Sequence, residues 1–147
     1  MAYQAKRTER IYEELELLDE NDQVVHTLRV YLDADTMLAR NLNEKSIELT
    51  KAYQEMAACK GEKEKEITME KVGHILHSIY KLVFGEENTK TILDFYEGRM
   101  TEMCLEVNPF INEIIVPRVR DMVNETRRRA NYKYNRNKVR GSGIFRR

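Results

Sequence analysis

The sequence predicts an α+β fold that is mostly α, with an N-terminal β-hairpin followed by about five helices and a basic C-terminal tail. Three patterns predict it: two early runs of alternating apolar residues, apolar residues three and four apart through the middle, and loss of that pattern after residue 126. The chain has 147 residues, the usual size of one domain. We therefore expect a single folded domain over residues 1–126 and a flexible basic tail over residues 127–147.

The hairpin is expected over about residues 10–32. Residues 11–18 and 24–32 each alternate between apolar and polar side chains, as strands with one buried face do. Asp19, Glu20, Asn21 and Asp22 lie between these runs and favour a tight turn. A lone hairpin is marginally stable in water, so one face must pack on the helices or on another subunit.

Helices are expected over about residues 35–126. The first begins at Asp33 or Asp35, because either carboxylate can cap a helix N-terminus. The second and third are expected on either side of Gly85, a residue suited to ending a helix. A fourth covers about residues 101–107.

The fifth helix is expected to begin at Asn108-Pro109, an N-cap followed by proline, and to bend before Pro117. It is apolar over more than half of its circumference, which indicates burial on several sides. Two interpretations stay open: a central core helix of a monomer, or a helix that also contacts a partner. The residues expected to bind a partner in this helix are Phe110, Ile111, Ile114 and Ile115.

Charge divides the chain into two unlike parts. The tail carries nine basic residues and no acid, which leaves 16 basic and 25 acidic residues in residues 1–126, a net charge of −9. Such a tail could contact an acidic protein surface, including the body of another copy, or nucleic acid, or it could merely solubilise the chain. The residues expected to bind a partner there are Arg127, Arg128, Arg129, Tyr132 and Tyr134.

No catalytic motif is present in the sequence, so we expect no enzyme, no cofactor and no metal. Glu70, His74 and His77 share one helix face and could ligate a metal, but a solvated polar face is the favoured interpretation because bundle sites draw ligands from several helices. Cys59 and Cys104 belong to no CxxC pair and are expected to be reduced thiols. The absence of a long apolar run and of a signal peptide predicts a cytoplasmic protein without membrane contact.

Five stretches of the chain carry a recognisable pattern of residue types: Leu82–Thr89, Ile92-Leu93, Phe95–Gly98, Glu102-Met103, and Pro109–Ile115 with Pro117. Together with the order of a strand pair followed by helices, they resemble a known family, the small tail assembly chaperones of long-tailed, non-contractile phages and prophages of Gram-positive bacteria. The resemblance covers about residues 10–135.

The resemblance implies a function like that of the lambda G protein, which coats the tape measure protein until the tail tube polymerises and is absent from the finished virion. It also implies self-association, a location in the cytoplasm of the bacterial host, and a longer frameshifted product that recruits the tail tube protein. Two rivals remain at this point. One is a nucleic-acid-binding accessory protein acting through the tail, and the other is a metal-dependent enzyme using Glu70, His74 and His77.

Overall fold

A β-hairpin opens the folded part of the chain. The structure, a computed structural model, describes the backbone of residues 1–145 and the side chains of residues 1–135. Strand β1 (Ile11–Leu18) pairs antiparallel with β2 (Val24–Leu32), which confirms the predicted hairpin. The Asp19 carboxylate stabilises the turn, since it accepts hydrogen bonds from the backbone N–H groups of Asn21 at 2.9 Å and Gln23 at 3.0 Å.

The two faces of the hairpin have different environments because side chains alternate along each strand. Ile11 and Leu17 of β1 are buried on the face that packs towards the helices. On the opposite face the rings of Tyr12 and Tyr31 are exposed and lie 4.9 Å apart between centroids. Arg118 covers part of the hairpin, donating to the backbone carbonyl of Tyr12 and forming an ion pair with Glu13.

Helical segments make up the rest of the described chain: α1 (Thr36–Ala58), α2 (Glu62–Tyr96), α3 (Met100–Pro109), a π-helical segment (Phe110–Ile115) and α4 (Val116–Phe145). The last three follow one another without a break. The prediction of about five helices is therefore wrong, because residues 1–145 contain three continuous helical segments after the hairpin. The α+β class, mostly α, is confirmed.

The predicted break at Gly85 is present as a kink between two helical parts of α2, whereas the predicted break at Pro109 is absent. Gly85 has φ 81° and ψ 172°, a conformation open essentially to glycine alone, and it kinks α2. Helical hydrogen bonding resumes beyond Gly85, which joins the predicted second and third helices. Pro109 has helical dihedral angles, φ −58° and ψ −36°, so the chain passes from α3 into the π-helical segment instead of starting a new helix.

The π-helical segment has a physical role in aligning α3 with α4. Within it the N–H of Val116 donates to the carbonyl of Ile111, five residues back. Pro117 follows at once and lacks an N–H, so the regular i→i−4 hydrogen bonding is interrupted at the Glu113 carbonyl. The buried residues of this rod recur every four residues, at Met103, Val107, Ile111, Ile115, Val119 and Val123.

A spacing of four exceeds the 3.6 residues of an α-helical turn, so each step moves the buried position about 40° around a regular helix. Five such steps would turn the stripe by about 200°, away from the core. The wider π-helical turn holds this rotation back. Residues from Met103 to Val123 can therefore face one core.

The start of α1 and the end of the core define the folded body. Oδ1 of Asp35 accepts a hydrogen bond from the Leu38 N–H at 2.7 Å, which identifies Asp35 and not Asp33 as the helix cap. The last buried residue of the described chain is Val123, close to the predicted domain end at residue 126. Residues 127–135 continue α4 beyond it with exposed side chains, and the predicted tail from residue 136 onwards lies outside the described side chains.

Candidate functional site

The apolar residues predicted to bind a partner are mostly part of the protein's own core. Phe110, Ile111 and Ile115 are 8%, 4% and 0% exposed, and the Phe110 ring stacks on Phe84 with centroids 5.8 Å apart. Their burial favours the core-helix interpretation over the partner-contact one, because a partner cannot reach them in this fold. Ile114 differs, since 41% of it is exposed and accessible to another chain.

The predicted basic and aromatic residues all lie on α4, and all are exposed. Arg127 and Ala130 line a cavity against the protein body. Tyr134 lies four residues after Ala130, so it continues the same side of the helix.

The opposite side of α4 has its own set of side chains. Arg128 lies four residues before Tyr132, and Arg129 four residues before Lys133, so each pair is adjacent on the helix surface. We call these four residues the outer face of α4. The structure thus divides the predicted tail residues between two sides of one helix.

A groove runs between α1 and α4, and we call it the α1–α4 groove. It consists of two cavities of about 330 Å³ and about 400 Å³ that share Val123 and Arg127. Along α4 it reaches from Val116 to Ala130, a length of about 21 Å at 1.5 Å per residue. Its floor is formed by Ala39, Leu42, Val116, Val119 and Val123, and Asn43, Arg120, Asn124 and Arg127 contribute polar groups.

The chemistry of the α1–α4 groove suits the apolar side of another helix, which binds such grooves through residues at helical spacing. Sequence reasoning missed it, because the apolar stripe of α1, which includes Leu38, Leu42 and Leu49, indicates one helix face but not what lies beside it. The pattern that could have predicted the groove is a second row of small or short polar side chains on α1, next to the apolar stripe. These residues, at spacings of four and three, are Ala39, Asn43 and Ser46.

A second groove, about 540 Å³ in volume, lies between the hairpin turn and α3, and we call it the hairpin groove. Its apolar lining comes from Leu15, Phe95 and Val107, among others. Arg99 supplies a positive charge but pairs with Glu102 at 3.5 Å. The carboxylates that line the groove are those of Glu16, Asp19, Glu20, Asp22, Glu102 and Glu106.

The hairpin groove is electrostatically negative, because six carboxylates and a single arginine line it. Burial first, and then the negative charges of Glu106 and Glu102, raise the pKa of Tyr96 above its ordinary value. Each neighbouring carboxylate disfavours a further negative charge at the phenol. The same field favours a positively charged side chain from another molecule.

The residues considered for metal binding lie on an exposed face of α2. Glu70, His74 and His77 are all exposed, and among the side chains of residues 1–135 no three potential ligands are grouped closely enough to hold a metal ion. Cys59 and Cys104 are free thiols. Burial raises the pKa of the Cys104 thiol, which favours its protonated form.

Comparison of the chain with models of protein families, with curated proteins and with solved structures found no match. Among the described residues, no helix combines the length and the apolar character needed to cross a lipid bilayer.

Proposed function

We propose that this protein is a phage tail assembly chaperone, which binds helical segments of the tape measure protein and keeps them in solution before the tail tube is built. It acts without catalysis, as an oligomer, in the cytoplasm of the bacterial host, and it is absent from the mature virion. The observation that carries the proposal is the α1–α4 groove, and the family resemblance of the sequence supports it.

The dimensions of the groove are compatible with one short segment of a long helix. A length of about 21 Å corresponds to about 14 helical residues, or roughly four turns. A tape measure protein is a long amphipathic helix whose apolar stripe must be covered until the tube encloses it. Many copies that each cover a few turns give weak, repeated contacts, which together are strong and yet can be displaced one at a time.

The charge of the groove gives the bound segment an expected composition. Arg120 and Arg127 lie among its lining residues, and both are exposed. They favour acidic side chains flanking the apolar stripe of the partner.

Co-expression with the tape measure protein of the same genome tests the proposal. We expect the two to copurify, and the double variant Arg120→Glu, Arg127→Glu to raise the dissociation constant at least about tenfold. The control is Lys60→Glu, Lys63→Glu, which makes the same change in net charge at exposed residues outside the groove and should leave binding unchanged. A genome without a tape measure protein, or equal binding by all three proteins, contradicts the proposal.

A second candidate function is nucleic-acid binding through α4, favoured by the exposure of Tyr132 and Tyr134, 68% and 65%, beside three arginines. Exposed aromatic rings can stack on bases while arginines contact phosphates. Fluorescence anisotropy with labelled single-stranded DNA and RNA at physiological salt discriminates the two functions. Micromolar or tighter binding that is lost on deletion of residues 127–147 or in Tyr132→Ala would favour this second function; the chaperone proposal expects none.

A further inference from the structure

The outer face of α4 has no partner within the described part of its own chain. From residue 124 to residue 135 every side chain is exposed. One ion pair, between Arg128 and Glu125 at 3.7 Å, lies on this stretch, and pairs so exposed contribute little. A helix without tertiary packing is only marginally stable in water, so this stretch gains stability from any surface that covers it.

The hairpin groove has the chemistry that the outer face lacks. The outer face presents three cations around one aromatic ring, and the groove presents carboxylates around an apolar lining. If Tyr132 packs on the apolar lining of the hairpin groove, the positive charges of Arg128, Arg129 and Lys133 lie close to the carboxylates of the groove. Opposite charges arranged in this way give an interface its orientation and speed its formation.

A single copy cannot bring these two surfaces together. Arg118 contacts Glu13, and further along α4 Arg127 lines a cavity with Thr8 and Asp33, so the helix runs towards the open end of the hairpin. The hairpin groove lies at the other end, beside the turn at Asp19. The eight residues of β1 separate the two ends by about 25 Å, at about 3.3 Å per residue.

We propose that the outer face of α4 of one copy docks into the hairpin groove of a second copy. The two surfaces differ, so the contact is head-to-tail, and each added copy presents a new open groove or a new open helix. The assembly is therefore a ring if its rotation closes and an extended chain if it does not. This interface deepens the proposed function and rests on its oligomer, because it names the two surfaces that meet; its test requires no tape measure protein.

Sedimentation velocity on the full chain after nuclease treatment tests the interface. We expect association at about 50 mM salt and dissociation at about 500 mM, because exposed charges are then screened. The outer-face variant, Arg128→Glu, Arg129→Glu, Lys133→Glu, should raise the dissociation constant at least about tenfold. The matched control makes the same change in net charge at exposed residues near the start of α2, with the substitutions Lys60→Glu, Lys63→Glu and Lys65→Glu, and should associate like the wild type.

A charge-swap experiment identifies the receiving surface. The variant Glu16→Lys, Glu20→Lys, Glu106→Lys reverses exposed charges of the hairpin groove, and alone it should be monomeric, as should the outer-face variant. A mixture of the two restores opposite charges and should associate. Circular dichroism of each variant establishes that its helices are retained.

Several results would overturn the interface: a wild type that stays monomeric at about 50 mM salt, an outer-face variant that associates normally, a mixture that stays monomeric, or association that requires nucleic acid. The two proposals can fail separately. The variant Arg120→Glu, Arg127→Glu should still self-associate while it loses the tape measure protein. The outer-face variant should lose self-association but, in one-to-one binding assays, should still bind the tape measure protein.

Discussion

The phenolic hydroxyl of Tyr80 in α2 donates a hydrogen bond of 2.6 Å to Oδ1 of Asn108 in α3. Tyr80 is 1% exposed, so its ring fills the core while its polar end is satisfied by the neighbouring helix. Burial, reinforced by the nearby Cys104 and other tyrosines, raises the pKa of Tyr80 well above its ordinary value of 10.0.

The raised pKa of Tyr80 predicts a loss of stability in alkali. Its contribution is fully present below about pH 10 and is lost as pH rises further, because the unfolded chain then releases a proton that the folded chain retains. Tyr80 alone should lower the free energy of unfolding by about 1.4 kcal/mol per pH unit above pH 10. Urea denaturation between pH 7 and pH 11 measures it.

The variant Tyr80→Phe is the control for this alkaline effect. It should cost about 1 kcal/mol at pH 7 through the lost hydrogen bond, and its stability should fall less steeply above pH 10. If the free energy of unfolding fell equally steeply with pH in the two proteins, Tyr80 would not be the group responsible for the loss of stability in alkali.

Ile114 and Ile115 are neighbours of the same residue type but opposite burial, so together they test the orientation of the π-helical segment. Ile115→Ala should lower the free energy of unfolding by about 2–5 kcal/mol, because a fully buried side chain leaves a cavity. Ile114→Ala should cost less than about 1 kcal/mol, since its side chain is partly in water. Chemical denaturation checks both. Equal costs for the two variants would contradict the orientation of this segment.

Asp35 and Asp33 form a second matched pair, at the start of α1. Asp35→Ala should cost about 1 kcal/mol, because the Leu38 N–H loses its acceptor. Asp33→Ala removes an exposed ion pair with Arg10 and should change stability by less than about 0.5 kcal/mol. Thermal or chemical denaturation measures both costs. A larger cost for Asp33→Ala than for Asp35→Ala would show that Asp35 is not the cap of α1.

Gly85 provides a fourth stability test, because its φ of 81° and ψ of 172° suit glycine alone. An added Cβ would meet no atom within 4 Å, so Gly85→Ala tests backbone strain without steric clash, and it should cost about 1–3 kcal/mol. The control is Gly73→Ala, within α2, whose Cβ would lie 3.3 Å from the flexible end of Met100. That change should stay within about 1 kcal/mol, since alanine is the better helix former. Calorimetry or urea denaturation compares the two.

Local patterns predicted the hairpin and the capping of α1 well, because turn residues, strand alternation and a capping carboxylate all act within a few residues. The helix count failed where local signals were ambiguous. Gly85 and Pro109 both favour a break, but whether a helix resumes beyond such a residue depends on the packing of both halves on the same core.

The candidate surfaces were predictable only in part. The dense apolar run at Phe110–Ile115 could not reveal on its own whether the core or a partner covers it, because both require the same side chains. The charge of α4 was visible in the sequence, but its division into two faces required the helix. The two grooves form between elements distant in sequence: Ala39 and Val123 line one groove, and Leu15 and Phe95 line the other, and no local pattern contains such pairs.

The single wide turn at Phe110–Ile115 determines in which directions the far half of the molecule points. If the same six residues were wound as ordinary helix, everything after them would be rotated by about 100° about the helix axis. Val119 and Val123 would then leave the core, and the arginines that line the α1–α4 groove would turn away from it. The extra residue held in this wide turn thus keeps the far half of α4 in register with α1, and a change of helix type here would disrupt the groove although it removes none of its residues.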